Sequence, residues 1–157
     1  MTLLRGTDYP GEGADIGTHE FSYSLYPHEG DWRAGKTPRR GCEFNAPLLT
    51  VVAPEVSRAP RGGTGAGRSA VSFVSVDSPS AILDTLKPAE DGVGLIVRLY
   101  ESCGGRGPAR IATSFKIAKA VECNLMEETC GAVGSGDHGF SFFMTPYEVK
   151  TFRIMPL

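Results

Sequence analysis

The chain has 157 residues, the length of one domain, and a domain of that size buries a core without disulfides or metals. A hydrophobic fraction of 41% with a net charge of −2 excludes a nucleic-acid or acidic-membrane binder driven by bulk charge. The 20 glycines and 11 prolines leave little room for long helices and favour short strands joined by turns.

No apolar run reaches the ~18 residues of a membrane span. The start of the chain lacks a basic stretch followed by an apolar one, so no secretory signal is read and a cytoplasmic location is expected. Residues 19–26 alternate, with Phe21, Tyr23 and Leu25 on one face and Glu20, Ser22 and Ser24 on the other. That is the period of a half-buried strand. Pro27, Gly30 and Asp31 then mark a turn. In 31–45, Gly35, Pro38 and Gly41 break any helical stripe, so one helical turn is expected there. Residues 54–70, rich in Gly, Pro and Arg, read as a flexible loop.

Weaker strand candidates are 48–52, 71–76 and 81–86. Residues 93–100 alternate clearly, with Val93, Leu95, Val97 and Leu99 inward. Residues 110–117 do the same with Ile111, Thr113, Phe115 and Ile117. Gly104, Gly105 and Gly107 between these runs read as a hairpin. Strands are also expected at 140–144 and 147–154. The pattern predicts an all-β domain, an antiparallel β-sandwich with at most a short helical turn. Its expected core is Phe21, Tyr23, Leu25, Leu95, Val97, Leu99, Ile111, Phe115, Phe140 and Phe142.

Chemistry-bearing residues are sparse. Cys42, Cys103, Cys123 and Cys130 contain no C-x-x-C and read as reduced thiols. Asp15, His19 and His28 have no metal-ligand spacing. No carboxylate pair stands out as a glycosidase pair. Gly63-Thr-Gly65-Ala-Gly67 lacks the strand, helix and Lys-Ser/Thr of a phosphate loop. No G-x-S-x-G elbow is present. From the residues alone, the expectation is that the chain holds no catalytic residues and no metal site.

One stretch is more specific. Residues 15–30 carry Asp15, Gly17, His19, Phe21, Tyr23, Leu25, Pro27, His28 and Gly30. This resembles the motif Asp-x-Gly-x-His-x-Phe-x-Tyr-x-Leu-x-Pro-His-x-Gly of the C-terminal β-domain of family 38 α-mannosidases, the cytosolic-type subgroup. Leu3-Leu4-Arg5, 43–48, 80–90, 94–101, 122–128 and 146–152 resemble further segments in the same order. Residues 36–42 depart from a part that the family usually makes helical, and 130–137 depart before the penultimate strand.

The resemblance implies that residues 1–157 are a single C-terminal sandwich domain, truncated at its N-terminus. It implies a role in mannose metabolism as a non-catalytic part of a retaining, zinc-dependent α-mannosidase. The zinc and the nucleophile would belong to an absent catalytic domain, on which this domain would pack. Asp15, Gly17 and His19 become candidates for a turn beside the substrate cleft. There the Asp15 carboxylate would accept backbone N–H bonds and Gly17 would give freedom in φ. The expected partners are the catalytic domain and α-mannoside glycans. The alternative reading is a stand-alone carbohydrate-binding sandwich using Tyr23, Tyr26, Trp32 and Tyr100 as aromatic platforms. A third is a purely structural interaction module.

Overall fold

The computed structural model describes residues 6, 9, 11–13, 15–50 and 71–157. The strand resemblance of Leu3-Leu4-Arg5, the loop reading of 54–70 and the end of the 48–52 candidate lie outside these residues. One helix, α1 (Thr37–Asn45), precedes the strands β1 (Val74–Asp77), β2 (Ala81–Pro88), β3 (Leu95–Glu101), β4 (Gly107–Thr113) and β5 (Ile117–Cys123). β6 (Thr129–Ala132), β7 (Ser135–Gly136), β8 (Gly139–Met144) and β9 (Val149–Pro156) follow.

The strands form two antiparallel sheets, a four-stranded one in the order β1-β4-β8-β7 and a five-stranded one in the order β2-β3-β9-β5-β6. Register explains how they pack. Val76 pairs with Ile111 and Ile111 with Phe140, so these three share one face of the four-stranded sheet. Val97 pairs with Phe152 and Leu95 with Ile154 on the other sheet. Ile111, Phe140, Val97, Phe152 and Ile154 are all buried in one cluster, which closes the sandwich. The Phe152 ring lies 5.0 Å from Phe140, edge-on, and 4.8 Å from Phe142. Gly139 opens β8 at φ 147, and a Cβ there would lie 2.1 Å from the Ile111 carbonyl oxygen. Only glycine lets β8 approach β4 that closely.

Several expectations held. Strands occupy 95–101, 139–144 and 149–156, and the weaker candidates at 71–76 and 81–86 overlap β1 and β2. Of the expected core, Val97, Leu99, Ile111 and Phe140 are buried, Phe115 and Phe142 pack against the cluster, and Leu95 is half-buried.

The structure corrects others. Residues 19–26 form no strand, and Phe21, Tyr23 and Leu25 are 51%, 62% and 85% exposed. Their alternation describes a face that nothing among the described residues buries. Val93, expected inward, is exposed in the turn before β3. The glycines at 104–107 do not make a hairpin, because β3 and β4 lie in different sheets and the segment crosses between them. The run 110–117 is two strands. Thr113 Oγ1 donates to the Phe115 carbonyl at 2.7 Å and turns the chain from one sheet to the other. The expected single helical turn is a nine-residue helix. Pro38 falls in its first turn, where the missing N–H has no intrahelical partner to lose.

The aromatic cluster should dominate stability. Phe152→Ala is expected to cost about 3–5 kcal/mol in urea unfolding, the range for emptying an aromatic core site. Phe21→Ala should stay within about 0.5 kcal/mol, because an exposed side chain loses no packing.

Candidate functional site

The motif residues 15–28 form an arm ahead of α1 that joins neither sheet. Asp15, Gly17 and His19 are all exposed. His19 Nε2 donates to the Asp15 backbone carbonyl at 2.9 Å, which brings the two candidates together. Gly17 does not have a positive φ, and a Cβ there would meet nothing within 4 Å. The turn therefore does not need glycine's conformational freedom, contrary to expectation.

The arm is seated in three steps. Tyr26 Oη donates to the Gly35 carbonyl at 3.1 Å, and the Tyr26 and His28 rings lie 5.6 Å apart. A Cβ on Gly35 would come within 2.5 Å of the His28 ring, so the ring rests on bare backbone. Asp31 Oδ1 accepts the backbone N–H groups of Arg33 and Ala34 at 3.0 and 2.8 Å. The N–H of Ala34 does most to hold the Asp31 carboxyl below the usual range. Arg33 then reaches across 70 residues, and its Nε donates to the Cys103 carbonyl at 2.8 Å. Its guanidinium also lies 4.2 Å over the Trp32 ring.

α1 is the third anchor. Arg39 Nη2 donates to the Ala81 carbonyl at 3.4 Å, and Cys42 Sγ lies 3.1 Å from Tyr100 Oη. The Cys42 contact, with burial, pushes the Tyr100 hydroxyl up to about 12. Tyr100 is thus held under the helix. On the other side of α1, Thr37, Arg40, Gly41 and Phe44 are spaced i, i+3, i+4, i+7 and so share one face. Together with Ser24 and Tyr26 of the arm they line a groove. Arg40 and Glu43 form an ion pair beside it.

The corner that receives Arg33 is built on Glu101, which is buried at the end of β3. Its Oε1 accepts the N–H of Cys103 at 2.9 Å, and its Oε2 accepts those of Gly104 at 2.7 Å and Tyr147 at 3.0 Å. Burial pushes the carboxyl up, but the N–H groups of Tyr147, Cys103, Gly105 and Gly104 outweigh it and hold it at about 2. Tyr147 pays for its place with a left-handed φ of 58, and its ring lies over Gly104. Glu101 therefore ties the β3–β4 crossing to the turn before β9. Glu127, the other buried carboxylate, lies 2.7 Å from Lys87 Nζ and accepts the N–H of Glu90 at 2.9 Å. Lys87, first among its partners, keeps it below the usual range. Both buried carboxylates are ionised and saturated, which suits bracing and not proton transfer.

Sequence reasoning found Asp15 and His19 but missed Glu101, Arg33 and the α1 face. Only the last left a signal, the helical spacing of 37, 40, 41 and 44. Among the described residues, no three His, Cys, Asp or Glu side chains come together as a metal-ligand set. No helix among them is long and apolar enough to cross a membrane.

Residues 80–152, from the start of β2 into β9, match the family described as the glycosyl hydrolases family 38 C-terminal beta sandwich domain. The chain is 30% identical over 158 residues to "Alpha-mannosidase G" of Dictyostelium discoideum, covering 99% of this chain and 14% of that protein. It is 32% identical over 160 residues to "Alpha-mannosidase 2C1" of Homo sapiens, with the same coverage of 99% and 14%. To "Alpha-mannosidase" of Saccharomyces cerevisiae it is 24% identical over 176 residues, covering 98% and 15%. The chain thus spans about one seventh of the length of the curated relatives it matches.

Glu101 should make stability acid-sensitive in a defined window. Its folded value is depressed, so its contribution is complete above the ordinary carboxylate range near 4.5 and is lost as pH falls toward 2. Glu101→Gln should remove that part of the pH dependence in urea titrations. It should also cost about 1.5–3 kcal/mol at neutral pH, the scale of hydrogen bonds to a charged group.

Proposed function

This chain belongs, through residues 80–152, to family 38 of the glycosyl hydrolases as their C-terminal β-sandwich domain, and from that premise we propose that it is the non-catalytic support of an α-mannosidase. In this reading it packs on a catalytic domain supplied by other sequence. The observation that carries the reading is the arm. Phe21, Tyr23 and Leu25 alternate with polar residues along the sequence and stand exposed. Exposed apolar side chains set so close along a chain mark an interaction surface, and a segment outside any ladder offers backbone groups to a partner.

Zinc does not fit the residues described here, since no ligand set gathers among them. In the proposed enzyme, zinc-dependent retaining hydrolysis of α-mannosides is the work of the catalytic domain. Asp15 and His19 lie at the head of the arm, so docking the arm would carry their turn to the edge of that domain. We place the turn beside the substrate cleft on this ground. A cytoplasmic location goes with the reading, as does a part in mannose metabolism.

A chimera tests it. In α-mannosidase 2C1 the region matched by this chain is replaced with the chain itself, and hydrolysis of an aryl α-mannoside is measured. The expected result is an active chimera that loses about tenfold or more in kcat/KM when Phe21, Tyr23 and Leu25 are all changed to Ser, a loss of at least 1.4 kcal/mol. The same triple change should leave the Tm of the isolated chain unmoved. An active triple variant would remove the arm from the interface. The isolated chain should not hydrolyse the aryl α-mannoside, with or without added zinc.

A further inference from the structure

β1 is an edge of the four-stranded sheet. β4 pairs with one side of it, and among the described residues no strand pairs with the other. An open edge is a template for a further strand. We propose that this edge pairs with β1 of a second copy of the chain, antiparallel about a two-fold axis at Ser75. This pairing is independent of the α-mannosidase reading.

The four sheet edges differ in how well they are guarded. β2 carries Asp84 and Lys87, ends in Pro88 and shifts register between Leu83 and Thr85. β6 contains Gly131 and meets a register shift in its ladder with β5. β7 has two residues, one of them Gly136. Charge, proline, irregular register and extreme shortness all discourage an added strand. β1 keeps a regular register with β4, has neither glycine nor proline, and carries its one charge at its end, Asp77. The run 71–76 reads Val-Ser-Phe-Val-Ser-Val, uncharged and rich in β-branched and aromatic residues. That is the composition of a strand prone to pair with its own kind. Val71 and Phe73 are 69% and 62% exposed, so the apolar run continues ahead of β1 without cover.

The backbone of β1 is oriented for such a pairing. The Ser114 N–H donates to the Phe73 carbonyl at 3.1 Å. In an antiparallel ladder the residues that bond a given neighbour alternate. Ser75 and Asp77 therefore bond β4, and Val74 and Val76 turn their N–H and C=O groups to the open side. The Val74 carbonyl accepts the Ser72 hydroxyl at 3.2 Å, a bond within its own segment. A carbonyl oxygen has a second lone pair for a partner.

The sequence of this edge matches its own reverse. Pairing about Ser75 sets Val74 opposite Val76 of the second copy and Ser72 opposite Ser78. Each Val74–Val76 pair then exchanges two N–H···O bonds, as a hydrogen-bonded antiparallel pair does. Both valines pack against the core, so their rows continue from one copy into the other on the inward face. Serine meets serine at the axis. Asp77 falls opposite Phe73, so no like charges face each other. Such self-complementarity is what a two-fold contact requires, and one such edge per copy closes the assembly at two.

Ser75 supplies the deciding variants, because its side chain is exposed and its replacement leaves the core intact. Sedimentation equilibrium across the micromolar range is expected to show a monomer–dimer equilibrium, as small interfaces give. Hydrogen exchange at the Val74 and Val76 amides should slow as the dimer fills. Ser75→Lys and Ser75→Glu should each weaken dimerisation about fivefold or more with Tm unchanged, because like charges then meet at the axis. Mixed in equal amounts, the two variants should pair with each other. Ser141 is exposed on β8 between the core residues Phe140 and Phe142, so it lies on the outer face of the same sheet. Ser141→Glu should leave the dimer unchanged, which separates edge pairing from stacking of sheet faces. A chain that stays monomeric, assemblies larger than two, or a dimer indifferent to Ser75→Lys would each overturn the proposal. So would folded lysine and glutamate variants that fail to pair. Val74 and Val76 amides protected equally at every concentration would overturn it too, since another part of the chain would then cover the edge.

Discussion

Everything in this molecule depends on one seam, where the Phe152 ring of the five-stranded sheet meets Phe140 and Phe142 of the four-stranded sheet. Each sheet has one face that must leave water, and neither can do so alone. The chain passes between the two sheets from β1 to β2, β3 to β4, β4 to β5, β6 to β7 and β8 to β9. Each crossing is a corner where backbone groups leave their ladders, so the sandwich needs partners for those groups. Glu101 serves one pair of corners. A carboxylate accepts several N–H bonds at once, and at this site it gathers donors from 103–105 and from 147. The seam supplies the attraction between the sheets, and the buried acid fixes how the chain turns at their end.

That division of labour explains why the arm is seated where it is. Arg33 needs an acceptor fixed in space, and the Cys103 carbonyl is fixed because the N–H of the same residue is held by Glu101. The strained Tyr147 backbone belongs to the same corner. A left-handed conformation costs a non-glycine residue about 1–2 kcal/mol, and a bond to a charged acceptor offsets that. The arm is thus tied through Arg33 to the corner that Glu101 holds, while α1 is tied through Arg39 and Cys42. None of these ties buries much apolar surface, so the arm can rearrange at low cost when a partner covers its outward row.

The strands could be read from the sequence because each half-buried strand writes its inward face at every second residue. Val97, Leu99, Ile111 and Phe140 carry that signal and are buried. The same rule misled at 110–117 for a physical reason. Phe115 still turns toward the core as the chain crosses between sheets, so the alternation continues in phase through a corner. Glycines 104 to 107 permit a tight turn, but they do not say whether the next strand returns to the same sheet. The helix was hidden by Pro38 and Gly41, residues that break a helix interior yet are harmless in a first turn or useful beside a groove. Of the candidate site, the motif residues were legible through resemblance. Glu101 was not, since one acid at a strand end looks like any solvated carboxylate until the distant Tyr147 N–H is brought to it.

The arm is the instructive case, because its alternation is as regular as that of any strand in the chain and yet it pairs with nothing described here. Period two records how side chains are distributed about an extended backbone. It does not record where the apolar face finds its cover. In β3 the cover is the opposite sheet of the same chain; in the arm the outward row is open to water while Ser24 and Tyr26, one residue out of phase, meet α1. A segment with one face tied to its own domain and the other apolar and open is suited to join two bodies. Its polar face fixes its position on the sandwich, and its apolar face supplies the affinity for what docks against it.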